Sequence, residues 1–196
     1  MHKSTDIQIV LASASPRRKE LLEGVKLDFI VHPSDFEEKD THLTPEELVI
    51  HNSLGKAQDI ARHYNNALII GVDTIGVVGD QIIGKPRDPE HAKDLLRLLS
   101  NTTHRVISGV TVMNSKTKKT ITAVETTLVS MDRLEESDIE AYVNSGEGED
   151  KAASYAIQGL GALFVKGIEG DYFNVVGLPI FRLRKILKKF GIKRWI

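Results

Sequence analysis

The chain has 196 residues, 41% hydrophobic and 27% charged, enough to bury a core without covalent staples. It holds no cysteine, which excludes disulfides, cysteine-ligated metals and thiol nucleophiles. A net charge of −1, from 26 basic and 27 acidic residues, argues against broad nucleic-acid binding, and no apolar run nears the ~20 residues of a membrane span.

Strand and helix signals alternate along the chain, which predicts an α/β protein of one domain. Residues 7–12 read as a strand and 16–23 as a short helix, stopped by Gly24. A second strand is expected over 27–31. Thr44-Pro45-Glu46-Glu47 supplies an N-cap, a first-turn proline and a capping-box glutamate for a helix reaching about residue 64. ALIIGVDTIGVV, residues 67–78, is apolar enough for a buried central strand, and Gly79-Asp80 then predicts a two-residue hairpin into QII.

Asp88-Pro89 opens a helix, DPEHAKDLLRLLS, with leucines spaced for one buried face. Strands are expected near 105–113 and 120–131, with a helix over about 135–144. The tail reads as a strand, ALFVKGI, and a helix over about 179–190 with Phe181, Ile186, Leu187 and Phe190 turned inward. Hairpins mixed with helical connections point to a mixed sheet. The opening MHKSTDIQIVLASAS has no long apolar region of the signal-peptide kind, so a cytoplasmic location is expected.

Three features break local rules. The helix after Ser15 carries Arg17, Arg18 and Lys19 in its first turn. That end of a helix already holds about half a positive charge, so each added cation costs a few tenths of a kcal/mol unless an anion sits there. Asp73 lies inside the most apolar strand, where an unpaired carboxylate costs several kcal/mol. It either caps a nearby backbone end or serves a metal, a cation or a proton transfer. Lys56 falls at the edge of the inward stripe Val49, Ser53, Ala57, Ile60, Tyr64, and Lys85 is aimed by Pro86. Each lysine alone reads as a snorkelling or loop side chain.

Together, a cationic helix N-terminus and two lysines on separate elements form an oligophosphate site. Asp73 with one of Glu37 or Glu38 would hold Mg²⁺, which favours oxygen ligands shared with substrate phosphates. GxxxxGK[ST] is absent and no GxGxxG follows a strand, which argues against a Walker-type NTPase or a dinucleotide enzyme.

LASASPRRKELL resembles the signature of the Maf family of nucleotide pyrophosphatases. The likeness continues through DFEE (35–38), NSLGKA (52–57), GVDTI (71–75), IGKPRD (83–88), THRVISGV (103–110), DKAASYAIQGLGALFV (150–165) and NVVGLP (174–179). The resemblance implies an elongated mixed-sheet α/β fold with two lobes around a cleft, related to the inosine-triphosphatase-like fold. It implies hydrolysis of a nucleoside triphosphate between its α and β phosphates, with a divalent metal such as Mg²⁺ or Mn²⁺. On matching positions, Asp73 corresponds to the proton acceptor, and Arg17, Arg18, Lys56 and Lys85 to the phosphate cradle. Ser13 and Ser15 correspond to hydroxyls lining the cradle, and Glu38 to a metal-site carboxylate beside Asp73. Arg17, Thr74 and Gln158 match positions linked to base choice. YAIQG, read as YxIQG, is similar to the branch that prefers dTTP and UTP, modified pyrimidine nucleotides included.

Four positions depart from the family pattern: Ala153 and Ala156 in the DKAASYAIQG stretch, Glu37 where Asp is commoner, and Phe173 where a small residue is usual. They bear on base preference rather than on the reaction. Two rival readings share the same cations. One is a non-catalytic nucleotide sensor or division regulator, which has no need of a carboxylate beside a polyanion. The other is a phosphomonoesterase, which would release single phosphates. The expected partners are the nucleotide itself, with neither nucleic acid nor membrane, and a homodimer is left open.

Overall fold

The computed structural model describes residues 7–38, 42–149 and 151–192. Seven strands form one mixed sheet in the order β2-β1-β3-β5-β6-β7, with β4 on β3. They are β1 (Gln8–Leu11), β2 (Ile30–Val31), β3 (Ala67–Val78), β4 (Gln81–Ile83), β5 (Thr103–Asn114), β6 (Thr120–Met131) and β7 (Val165–Glu169). The helices are α1 (Pro16–Gly24), α2 (Pro45–Ala61), α3 (Pro89–Leu99), α4 (Glu136–Asn144), α5 (Tyr172–Val176) and α6 (Ile180–Lys189). β1 pairs in parallel with β2 and β3, whereas β3–β4 and β6–β7 are antiparallel. No helix among the described residues is long and apolar enough to cross a membrane.

The chain forms two compact units. The first takes residues up to Asp73, Gly109–Val124 and everything from Leu178 on; the second takes Thr74–Ser108 and Glu125–Gly177. In the first, the strands alternate sides as a pleated backbone requires. Ile9, Leu11, Leu68, Ile70 and Val72 face a core completed by Leu22 of α1 and Leu183 and Leu187 of α6. Val10, Ala67 and Ile69 face the other way, against Ala57 and Ile60 of α2. In the second unit, Leu95, Leu96 and Leu99 of α3 pack with Ile139 and Tyr142 of α4, Val129, Met131 and Phe164.

α2 starts on the expected capping box. Glu47 N–H donates to Thr44 Oγ1 at 3.3 Å and Thr44 N–H donates to Glu47 Oε2 at 3.0 Å. Two glycines then set how closely it lies on the sheet. A Cβ on Gly71 would meet the Ser53 carbonyl oxygen at 2.1 Å, and one on Gly109 would meet that of Val49 at 2.2 Å. Only glycine leaves room for the helix backbone there.

Several expectations need correction. β2 is reduced to two residues, because Lys26 turns at φ 56° and Leu27 N–H donates to Leu22 O at 3.2 Å, in the turn that ends α1. α2 stops at Ala61 rather than near 64, where His63 N–H bonds Ile60 O in a turn. The first half of ALFVKGI lies in a 3₁₀ turn over 160–164, and only then does β7 begin. Phe181 is 57% exposed rather than inward; Leu183 takes the buried place, and Lys185 Nζ sits 4.5 Å from the Phe181 ring centroid. The short helix α5, capped by Asp171, carries no strong sequence signal.

Candidate functional site

Asp73 is 5% exposed and lies on the same face of β3 as Gly71, two residues earlier. That face looks at α2. Lys56 Nζ donates to Asp73 Oδ1 at 2.8 Å, and Asn52 Nδ2 donates to Oδ2 at 3.0 Å. Asn52 and Lys56 are one helical turn apart, so the close approach allowed by Gly71 and Gly109 delivers both to one carboxylate. Each carboxylate oxygen still has a second acceptor position for a water or a metal.

Lys56 is shared. Its ammonium also pairs with Glu38 Oε1 at 2.5 Å and reaches Val72 O at 3.4 Å. Glu38 is brought there by a segment docked on α2. Ser34 Oγ and Asp35 N–H both donate to Asp59 Oδ2, at 2.7 and 3.1 Å, and the Phe36 ring sits where a Gly55 Cβ would be. The Ser34 hydroxyl is the chief reason the Asp59 pKa lies below the ordinary carboxylate value. Glu38, not Glu37, therefore joins Asp73.

Arg18 approaches the same strand end from α1. Its Nη1 donates to Ser13 Oγ at 2.9 Å and to Val72 O at 3.2 Å. Burial pulls the guanidinium below its ordinary pKa, while Asp73 and then Glu38 oppose that shift and Arg17 adds to it. Ser13 is buried and its hydroxyl also accepts from Ser15 N–H at 3.3 Å. Ser15 is the N-cap of α1, yet its hydroxyl caps nothing. Arg17 has no hydrogen bond or ion pair among the described residues. Among the described residues the first turn of α1 thus offers a free hydroxyl and a free guanidinium, and that turn itself carries no acidic side chain.

In the first unit, then, Ser13, Arg18, Glu38, Lys56 and Asp73 form one connected network, with Ser15 and Arg17 on the adjoining turn. The other three sequence-selected residues lie in the second unit. Thr74 shares a hydrogen bond with Ser108 Oγ at 2.8 Å and donates to Gly177 O at 3.3 Å. Lys85 is exposed between β4 and α3, and Gln158 is exposed in the turn before residue 160. Sequence reasoning missed Asn52. Its signal was its place four residues before Lys56, on one helix face. Among the described residues its own Oδ1 is buried without a partner.

The model of the family described as Maf-like protein matches residues 8–190. The chain belongs to the Maf family. It is 48% identical over 187 residues to the dTTP/UTP pyrophosphatase of Methanosarcina barkeri, covering 94% of this chain and 95% of that protein. The protein of the same name from Ruminiclostridium cellulolyticum is also 48% identical over 187 residues, covering 94% and 97%. That from Dictyoglomus turgidum is 46% identical over 186 residues, covering 94% and 96%. Within this Maf chain the donor set for a metal is small. Among the described residues no three His, Asp or Glu side chains cluster for a cation. Two carboxylates, Asp73 and Glu38, do converge on one positive charge, the Lys56 ammonium. That arrangement suits Mg²⁺ or Mn²⁺, held by one or two carboxylates with the remaining positions left to water and substrate phosphate.

Proposed function

We propose that this chain is a nucleoside triphosphate pyrophosphatase that hydrolyses dTTP and UTP, modified pyrimidine forms included, to the monophosphate and pyrophosphate. The observation that carries the reading is Asp73, a buried carboxylate held by Lys56 and Asn52 beside the cationic first turn of α1. A phosphate-binding surface needs cations only. A carboxylate among them is repelled by the ligand unless it takes a proton or holds a metal.

The substrate triphosphate lies against Arg17, Arg18 and Lys56, with Ser13 and Ser15 as neutral donors and Lys85 as a further cation. Asp73 accepts a proton from the attacking water. The new bond forms between that oxygen and the α phosphorus, the α–β bridging bond breaks, and its electron pair leaves with pyrophosphate. Asp73 and Glu38 would hold the divalent metal, which would neutralise phosphate charge when bound. Asp73 is placed for its task by Lys56 on one oxygen and Asn52 on the other, so its orientation is fixed before substrate arrives. Arg17, Thr74 and Gln158 serve base selection. The Gln158 amide both donates and accepts, which fits the O4 and N3–H edge shared by uracil and thymine.

The family match runs through the residues of both units, which supports a single functional domain. A nucleotide substrate and the lack of cysteine fit a cytoplasmic setting. The deciding experiment is a panel of nucleoside triphosphates with Mg²⁺ or Mn²⁺, scored separately for pyrophosphate and phosphate. Pyrophosphate from UTP and dTTP is expected. Release of single phosphates would identify a phosphomonoesterase, and binding without turnover would identify a sensor.

A further inference from the structure

Gln158 sits in a bend just before the 3₁₀ turn over 160–164, outside any strand or helix. Its backbone is gripped on both sides by two side chains. Glu147 Oε2 accepts from Leu160 N–H at 2.9 Å, and Oε1 accepts from Gly161 N–H at 3.0 Å. The Tyr142 hydroxyl donates to the same Glu147 Oε1 at 2.9 Å and accepts from Ala156 N–H at 3.1 Å. The N–H groups two residues before Gln158 and two and three residues after it therefore all end on one carboxylate–phenol pair.

The fit is close. Gly159, next to Gln158, has φ 129°, and a Cβ there would lie 2.2 Å from Glu147 Oε2. A side chain at that position would push the turn off the carboxylate. Tyr142 is 3% exposed and packs edge-on against Phe164, with ring centroids 5.2 Å apart, so the phenol cannot drift. Burial works to raise the Glu147 pKa, but the Gly161 and Leu160 N–H groups and the Tyr142 hydroxyl outweigh it. The carboxylate sits below its ordinary value and stays ionised at neutral pH.

We infer that Glu147 is a positioning residue for base selection, acting with Tyr142 to hold the turn that presents Gln158. The inference rests on the reading that Gln158 contacts the base. In this role Glu147 acts through the turn and not on the substrate, by limiting where the Gln158 amide can point. A charged acceptor taking two backbone N–H groups is among the stronger ways to order a short turn.

The test measures kcat/KM for UTP, dTTP, CTP and GTP in wild type, Gln158→Ala, Glu147→Ala, Glu147→Gln and the Glu147→Ala/Gln158→Ala double variant. Gln158→Ala is expected to lower the UTP-to-CTP ratio about tenfold, as loss of a well-placed hydrogen bond does. Glu147→Ala should lower it by a similar factor, through a higher KM for UTP more than through kcat. Glu147→Gln, which keeps one acceptor oxygen, should recover part of that loss. The double variant should fall no further than Gln158→Ala alone, because both changes disable one device.

A shifted ratio in Gln158→Ala with an unchanged ratio in both Glu147 variants would overturn the inference and leave the role of Gln158 standing. So would independent, multiplying effects in the double variant, or a loss of kcat shared equally by all four nucleotides. An unchanged ratio in Gln158→Ala itself would remove the underlying reading, and the inference with it. Should Glu147→Ala not fold, Glu147→Gln carries the comparison alone, judged against the same wild-type ratio.

Discussion

Replacing Lys56 by Met keeps the aliphatic stem of the side chain and removes only the charge that Asp73 and Glu38 share. The Lys56 and Asp73 side chains are 13% and 7% exposed and 2.8 Å apart. At that separation Coulomb attraction at an effective dielectric of 20 is ~6 kcal/mol, from which desolvation must be subtracted. Removing one partner of a buried pair typically costs ~3–5 kcal/mol, because the remaining charge is left uncompensated. Asn52 still donates to Asp73, so the lower end of that range applies. For a chain of this length the melting temperature should fall on the order of 10 °C in the absence of divalent metal. The variant also exposes the two carboxylates to any added cation. Mg²⁺ at about 100 times its Kd would return ~2.7 kcal/mol, so the variant should gain more from Mg²⁺ than wild type does. Thermal denaturation with and without Mg²⁺, alongside UTP turnover, reads all of this. A variant melting within about 2 °C of wild type without metal would show that Asp73 does not depend on the ammonium, against the cost expected for a buried pair.

Asp73→Asn should retain the fold and bind nucleotide while losing ~10²–10⁴-fold in turnover, the usual cost of removing a positioned base; near wild-type pyrophosphate release would return Asp73 to a structural role. His104 is buried beside Tyr155, and burial lowers its pKa from 6.5 to about 4. As pH falls below 6.5 the unfolded chain takes up the proton first, so stability declines between pH 6.5 and about 4, by at most ~3 kcal/mol, with no further contribution below that window. Denaturant midpoints across this range should show the slope in wild type and lack most of it in His104→Phe. Ala153 holds φ 62°, a left-handed conformation that costs an L-residue ~1–2 kcal/mol and glycine almost nothing. Ala153→Gly should therefore raise the melting temperature by a few degrees, measured by the same thermal scan.

Much of the site was legible because it breaks local rules. Asp73 in an apolar strand and three cations on a helix N-terminus are both visible as sequence anomalies. What periodicity could not supply was which of two neighbours joins the network around Asp73 and Lys56. Arg17 and Arg18 have the same context in sequence, yet Arg18 folds back onto Ser13 and Val72 while Arg17 stays free among the described residues. Glu37 and Glu38 differ only in which one the docking of Phe36 and Ser34 turns toward Lys56. Asn52 escaped because a polar residue on a helix flank is ordinary. Its meaning comes from Gly71 and Gly109, whose missing side chains let α2 settle on the sheet. Phe181 failed for the opposite reason. Helical spacing made it an inward candidate, but the stripe of Ile180, Leu183, Ile186 and Leu187 already fills that core.

The first compact unit is made from the beginning, middle and end of the chain, and that sets a timetable for synthesis. Ile9 and Leu11 of β1 share their core with Leu178, Ile180, Leu183, Ile186 and Leu187, nearly the whole length of the polypeptide later. At ~5–20 residues added per second, the first strand waits roughly ten to thirty seconds for the helix that covers it. Until then, the part of the β1 and β3 face that α6 covers stays exposed, with only Leu22 of α1 and the other earlier core residues packed on it. A ribosome stalled before Leu178 would release a chain whose second unit has all of its residues and whose first is open on one side. The segment from Leu178 on is thus the closing piece of this unit, since only a chain that already includes it can cover that surface.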